Sequence, residues 1–129
     1  MKQQNGFTII EIILVVTVMA IASVFFFIQK NEIEAASRDS ARKTAINAMY
    51  YSLEEVYFKQ HNAYPRTLSS GILPSVDADL FKDPSGVKIG EGESNYRYEA
   101  TNCNEDLCQK YTLRTTLEHE ADYVKESRN

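Results

Sequence analysis

From Phe7 to Ile28 the chain runs for 22 residues with one ionisable side chain, Glu11. Coiled as an α-helix, at about 1.5 Å per residue, this run is roughly 33 Å long, close to a bilayer's hydrocarbon thickness of roughly 30 Å. Inside lipid every backbone amide must find its partner within the segment, and a helix achieves that. Glu11 is the exception to the pattern. A carboxylate placed in such a helix costs on the order of 2–3 kcal/mol even on the scale measured by membrane insertion, so an intramembrane acid is a functional candidate by default.

The run is preceded by a short polar segment, Met1-Lys2-Gln3-Gln4-Asn5-Gly6. An ordinary secretory signal has an apolar core of roughly 7–15 residues followed by a small-residue cleavage site. This run is longer and ends in Gln29-Lys30-Asn31-Glu32. Lys2 favours an N-in, C-out single pass, although Lys30 flanks the other end. Gly6 carries no side chain and by itself reads as a loop glycine. Phe7 and Glu11 are spaced i,i+4, on one face of a helix.

The helix continues past the membrane. Gln29 to Asn62 holds no Gly or Pro, and Ile46, Met49, Tyr50, Leu53, Val56 and Tyr57 recur at three- and four-residue spacing as a core stripe. Arg38, Arg42, Lys43, Glu54, Glu55 and Lys59 fall on the opposite side, which reads as a solvated or subunit-facing surface. Asn62 followed by Pro65 ends a helix of roughly 55 residues. Asp83-Pro84-Ser85-Gly86 is a turn signal. Alternation through Tyr96, Tyr98 and Ala100, and through Tyr111, Leu113, Thr115 and Leu117, predicts two antiparallel strands whose apolar faces pack on the stripe. Cys103 and Cys108 close the loop between them, and on the far side of a membrane a disulfide is the natural reading. The charged stretch from about Glu118 to Asn129 is expected to fray. The fold class expected is α+β, a long N-terminal, partly transmembrane helix against a small antiparallel sheet.

Gly6-Phe7-Thr8-Ile9-Ile10-Glu11, with Ile12-Ile13-Leu14-Val15-Val16 after it, resembles the type IV prepilin class III signal. That resemblance implies cleavage between Gly6 and Phe7 by a prepilin peptidase, N-methylation of Phe7, and assembly through Phe7 and Glu11. The head resembles the major pseudopilin of type II secretion and kindred small pilins: Asn62-Ala63-Tyr64-Pro65 is similar to their helix-ending motif, and Asp83 to Gly86 to their Asp-Pro-x-Gly turn. Residues 1–6 then form a leader, 7–28 a transmembrane and filament-core helix, and 29–129 the helix continuation and globular head. The partners implied are the chain itself as a helical homopolymer, a platform membrane protein and an assembly ATPase. The implied location is the cytoplasmic membrane before assembly and a periplasmic or extracellular filament after it. The function implied is a structural subunit of a surface pilus for adhesion, twitching motility or DNA uptake; the alternatives are a type II secretion pseudopilus or a non-polymerising membrane-anchored binding protein. Many relatives carry glycine where Ala20 stands and proline where Ile28 stands, and their absence argues against a locally melted core helix.

Other chemistry finds little support. A net charge of −4, from 14 basic and 18 acidic residues, leaves no basic patch, so nucleic acid enters only through a DNA-uptake pilus. His61 and His119 have no companions at metal or triad spacing, and no nucleophile, base and oxyanion donor converge, so the chain is not expected to be an enzyme. Cys-x4-Cys lacks redox and zinc spacing. Some secretion pseudopilins bind calcium in the head, which makes Asp77, Asp79 and Asp83, or Glu91 and Glu93, the oxygen ligands to consider. The spacing is not that of a twelve-residue calcium loop, and solvated loop acids with no cofactor are expected. The eight tyrosines are expected in the core and strands.

Overall fold

Helix α1, Ile9–Ser52, begins where Thr8 supplies a cap and runs without a break through Ala20 and Ile28. The computed structural model describes residues 6–129 and divides into two compact units, one ending at Ala35 and one comprising Ala36–Asn129. Residues 1–5, most of the leader expected at 1–6, lie outside the described residues. In the first unit every side chain from Phe7 to Glu34 is exposed, with Ile9 at 80% and Phe26 at 67%. The two mid-helix hydroxyls are internally satisfied: Thr17 donates to the Ile13 carbonyl at 2.8 Å and Ser23 to the Met19 carbonyl at 2.8 Å. Such back-bonding leaves neither hydroxyl proton unpaired.

In the second unit α1 continues into a π-helical segment, Leu53–Tyr57, and then α2, Phe58–His61. Asn62 ends the helix in the left-handed region (φ 52°), its amide bonding the Phe58 carbonyl at 2.7 Å. The cap is the one expected from asparagine. Four strands come next: β1 Tyr64–Pro65, β2 Tyr96–Asn104, β3 Leu107–Thr115 and β4 Tyr123–Glu126. β3 is the centre. β2 lies along one side of it in antiparallel register, Tyr98 opposite Leu113 and Cys103 opposite Cys108. β1 and β4 share the other side end to end, Tyr64 opposite Cys108 and Thr115 opposite Tyr123. Between β1 and β2 a 3-10 turn, Ala78–Phe81, leads into the turn at Asp83, where the Gly86 amide bonds the Asp83 carbonyl at 2.8 Å.

The α+β arrangement is the expected one, and Ile46, Met49 and Leu53 of the helix stripe are fully buried against Tyr64, Tyr96, Tyr111 and Leu113. Four expectations fail. Val56 is 38% exposed, while Glu54, placed on the solvated side by α-helical spacing, is 5% exposed. The π-segment explains both, because a π-turn takes up an extra residue and rotates the succeeding side chains around the axis. Arg42, also expected on the open side, is 6% exposed and held in an ion pair. The C-terminal stretch does not fray: it forms β4 and is tied to α1 along most of its length.

Candidate functional site

Thr8 and Glu11 are spaced as the first and last members of a capping box, T-x-x-E, a pattern not picked out from the sequence. The Glu11 amide donates to Thr8 Oγ1 at 3.3 Å and to the Thr8 carbonyl at 3.0 Å. Glu11 therefore stands in the first turn, where the helix dipole favours a negative charge by a few tenths of a kcal/mol, up to about 1. That is less than the cost of placing a carboxylate in lipid. Among the described residues the Glu11 carboxylate itself has no partner. Phe7 lies two residues ahead of Ile9, outside the helix, so the shared helical face expected of Phe7 and Glu11 is not formed in the uncut chain. A side chain built at Gly6 would meet nothing within 4 Å. Packing among the described residues therefore places no demand for glycine there.

The head supplies the remaining expected residues. Cys103 and Cys108 form a disulfide across the end of the β2–β3 hairpin, their Cα atoms 3.9 Å apart. The three aspartates weighed for calcium do not share a site. Asp77 caps the 3-10 turn by accepting from the Asp79 amide at 3.0 Å, and Asp79 pairs with Lys82 at 3.0 Å. Asp83 is buried and accepts from the amides of Ser85, Val87 and Asn95. Among the described residues no three His, Cys, Asp or Glu side chains are grouped to hold a metal ion. His61 stacks on Tyr57 at 4.1 Å, a helix-end position, and the His119 amide donates to Asp39.

Two polar clusters were missed. In the first, Arg42 bonds Asp39 at 2.6 Å and Glu118 at 2.9 Å, while Arg38 grips Glu118 through two bonds of 2.7 and 2.6 Å. Burial works to raise the Asp39 carboxyl, but the amides of Glu118 and His119 and the Arg42 guanidinium outweigh it and hold the group below its ordinary value. Hydrogen bonds from Arg38 and Arg42 bring Glu118 down to about 2. In the second cluster Glu54 accepts from Tyr111 at 2.8 Å, from Tyr64 at 3.1 Å and from the Arg128 amide at 3.3 Å. Burial first, and then the Glu54 carboxylate, push the Tyr111 hydroxyl far above its ordinary range. The carboxylates and their cations were visible in the sequence, but partners more than seventy positions apart carry no local spacing signal.

With this geometry in place, comparison with known families gives one finding: residues 1–27 match the model of the prokaryotic N-terminal methylation motif. The chain carries the type IV pilin and pseudopilin signature. That signature supports a pilin or pseudopilin precursor, a class of structural subunits, and fits a membrane-anchored form processed by a prepilin peptidase. The match covers Gly6, Phe7, Thr8 and Glu11 together with most of the exposed apolar helix. No curated protein and no solved structure matches the chain.

Proposed function

We propose that the chain is the building subunit of a type IV pilus-like filament, cleaved between Gly6 and Phe7, N-methylated at Phe7 and polymerised through its N-terminal helix. The observation that carries this reading is an exposed helix whose apolar run to Ile28 holds one ionisable side chain, Glu11, without a partner among the described residues and four residues from the amine that cleavage creates. In an assembled core, where water is scarce, the amine of one copy and the Glu11 carboxylate of another neutralise each other at low effective dielectric. The pair sets axial register. Before assembly the subunit is a single-pass membrane protein with its head outside the cytoplasm, where the Cys103–Cys108 disulfide is stable. A platform protein and a cytoplasmic ATPase would drive its extraction.

Between the two kinds of filament, the disulfide-closed hairpin favours a surface pilus, whereas the Asn62–Pro65 helix end and the Asp83–Gly86 turn resemble secretion pseudopilins. Mass spectrometry of sheared filaments should find a subunit starting at N-methylated Phe7. Its net charge should be −5, one below the −4 of the full chain because Lys2 leaves with the leader. A filament subunit still containing Lys2 refutes the reading. Imaging of the same cells separates long surface fibres from a short periplasmic pseudopilus.

A further inference from the structure

A cleft of about 430 Å3 opens in the head where the Asp83 turn, the start of β2 and the end of β3 meet, and every residue lining it is polar or charged. Its two buried residues are already bonded: both Asp83 carboxylate oxygens accept backbone amides, and Ser94 Oγ accepts from the Tyr96 amide at 3.2 Å. The exposed charges are not satisfied in the same way. Arg97 and Arg114 stand directly opposite each other across β2 and β3, and like charges so placed repel. Arg97 donates to the carbonyls of Glu91 and Gly92, at 3.3 and 2.8 Å, which carry no charge to offset its own. Arg114 reaches Glu99 at 3.4 Å, a solvent-exposed pair outside the cleft lining and of a kind that contributes little. The carboxylates of Glu93 and Asp122 line the same cleft with no hydrogen bond or ion pair among the described residues. Two cations and two carboxylates thus share the cleft without meeting each other across it.

The signs of these charges narrow the class of occupant. A lone anion would meet Glu93 and Asp122, and a lone cation would meet the two guanidiniums. Among the described residues no three acids are grouped to hold a metal ion. An uncharged occupant would take four charges out of water and pair none of them, which is costly. The volume falls within the range of small-molecule sites, roughly 300–1,000 Å3. We infer that the cleft binds a small zwitterion of the amino-acid or short-peptide class, its carboxylate on Arg97 and Arg114 and its ammonium on Glu93 and Asp122. A guanidinium suits that carboxylate because its planar fork donates two parallel hydrogen bonds. The bound carboxylate also offsets the repulsion between the two arginines. None of the lining residues belongs to α1, so this binding is separate from assembly through that helix.

The test uses the full chain in detergent micelles, labelled with nitrogen-15, and three probes of nearly one size. Glycylglycine carries both charges, N-acetylglycylglycine lacks the ammonium, and glycylglycine amide lacks the carboxylate. Glycylglycine should shift the Asn95 and Thr116 amides in a saturable way, and each of the other two should bind at least several-fold more weakly. Arg114→Gln should weaken glycylglycine about tenfold, the loss of one charge-assisted hydrogen bond, while leaving the amide probe unchanged. Asp122→Asn should weaken glycylglycine similarly while leaving the acetylated probe unchanged. Both positions are exposed, so neither substitution should move the melting temperature, which shows that a lost signal is lost binding. Unsaturable shifts, equal binding of the three probes, or unchanged glycylglycine affinity in either variant would each overturn the proposal and leave the cleft to water.

Discussion

The two ends of α1 solve opposite problems with the same backbone. Up to Glu34 the helix exposes nearly everything apolar it has, so its own chain supplies no burial. From Ala35 onward the helix buries Ala45, Ile46, Met49 and Leu53, and even the polar Asp39, Arg42 and Glu54 are enclosed and paired. The difference teaches where each half's stability comes from. The first half depends on an environment, lipid or other copies, because an apolar helix in water buries nothing. The second half is stabilised within the molecule, so head and membrane helix should respond to different mutations.

The largest expected effect lies in the first half. Glu11→Ala should leave a trimmed, membrane-inserted subunit and reduce filament yield at least about a hundredfold, since an uncompensated buried charge costs roughly 3–5 kcal/mol. Sheared-filament yield beside immunoblots of membrane-bound subunit measures this. Wild-type yield would sink the pairing model. The Thr8 cap is made with the Glu11 backbone amide, so the substitution should not unwind the first turn.

Next comes the core of the head. Leu113→Ala removes a fully buried side chain and should destabilise the head by about 2–5 kcal/mol in denaturant titration. Val16→Ala, at an exposed helix position, should leave that titration unchanged. Equal effects from the two would erase the contrast between the halves. Reduction of the disulfide, or Cys103→Ser with Cys108→Ser, should cost the head about 2 kcal/mol, as befits a short loop.

The smallest effect is a pH dependence. Glu118 is held at about 2 in the fold, below its ordinary carboxyl value of 4.5. Its contribution is therefore complete above about pH 4.5 and is lost as pH falls towards 2. Glu118→Gln should flatten the head's stability profile across that window. An unchanged acid limb would show that the contacts from Arg38 and Arg42 contribute nothing measurable.

The elements read most easily from sequence were those governed by local rules. The apolar run, the Asn62 cap, the Asp83 turn and the period-two tyrosines each carry their cause within a few residues. Val56 and Glu54 were misplaced because the π-segment has no counterpart in α-helical spacing. β1 is two residues long, too short to show alternation. β4 and the residues just after it were hidden by their charges: Lys125 and Arg128 looked like solvated tail but lie against the Tyr50 ring, each 5.3 Å from its centroid. At the candidate site Gly6, Phe7 and Glu11 were legible together, whereas the Thr8 cap was legible and overlooked.

The C-terminal ties of α1 also impose an order in time. Synthesis delivers the apolar half of the helix first, and that half can enter the membrane as soon as it emerges. The other half cannot complete its contacts then: Arg38 waits for Glu118, 80 residues later, and Glu55 waits for Arg128, 73 residues later. Until those residues arrive, Asp39, Arg42 and Glu54 lack their C-terminal partners, and the β4 side of β3 is an unpaired edge. On the proposed single-pass topology the head would be delivered as an anchored, unfinished chain, with its closing step on the far side of the membrane.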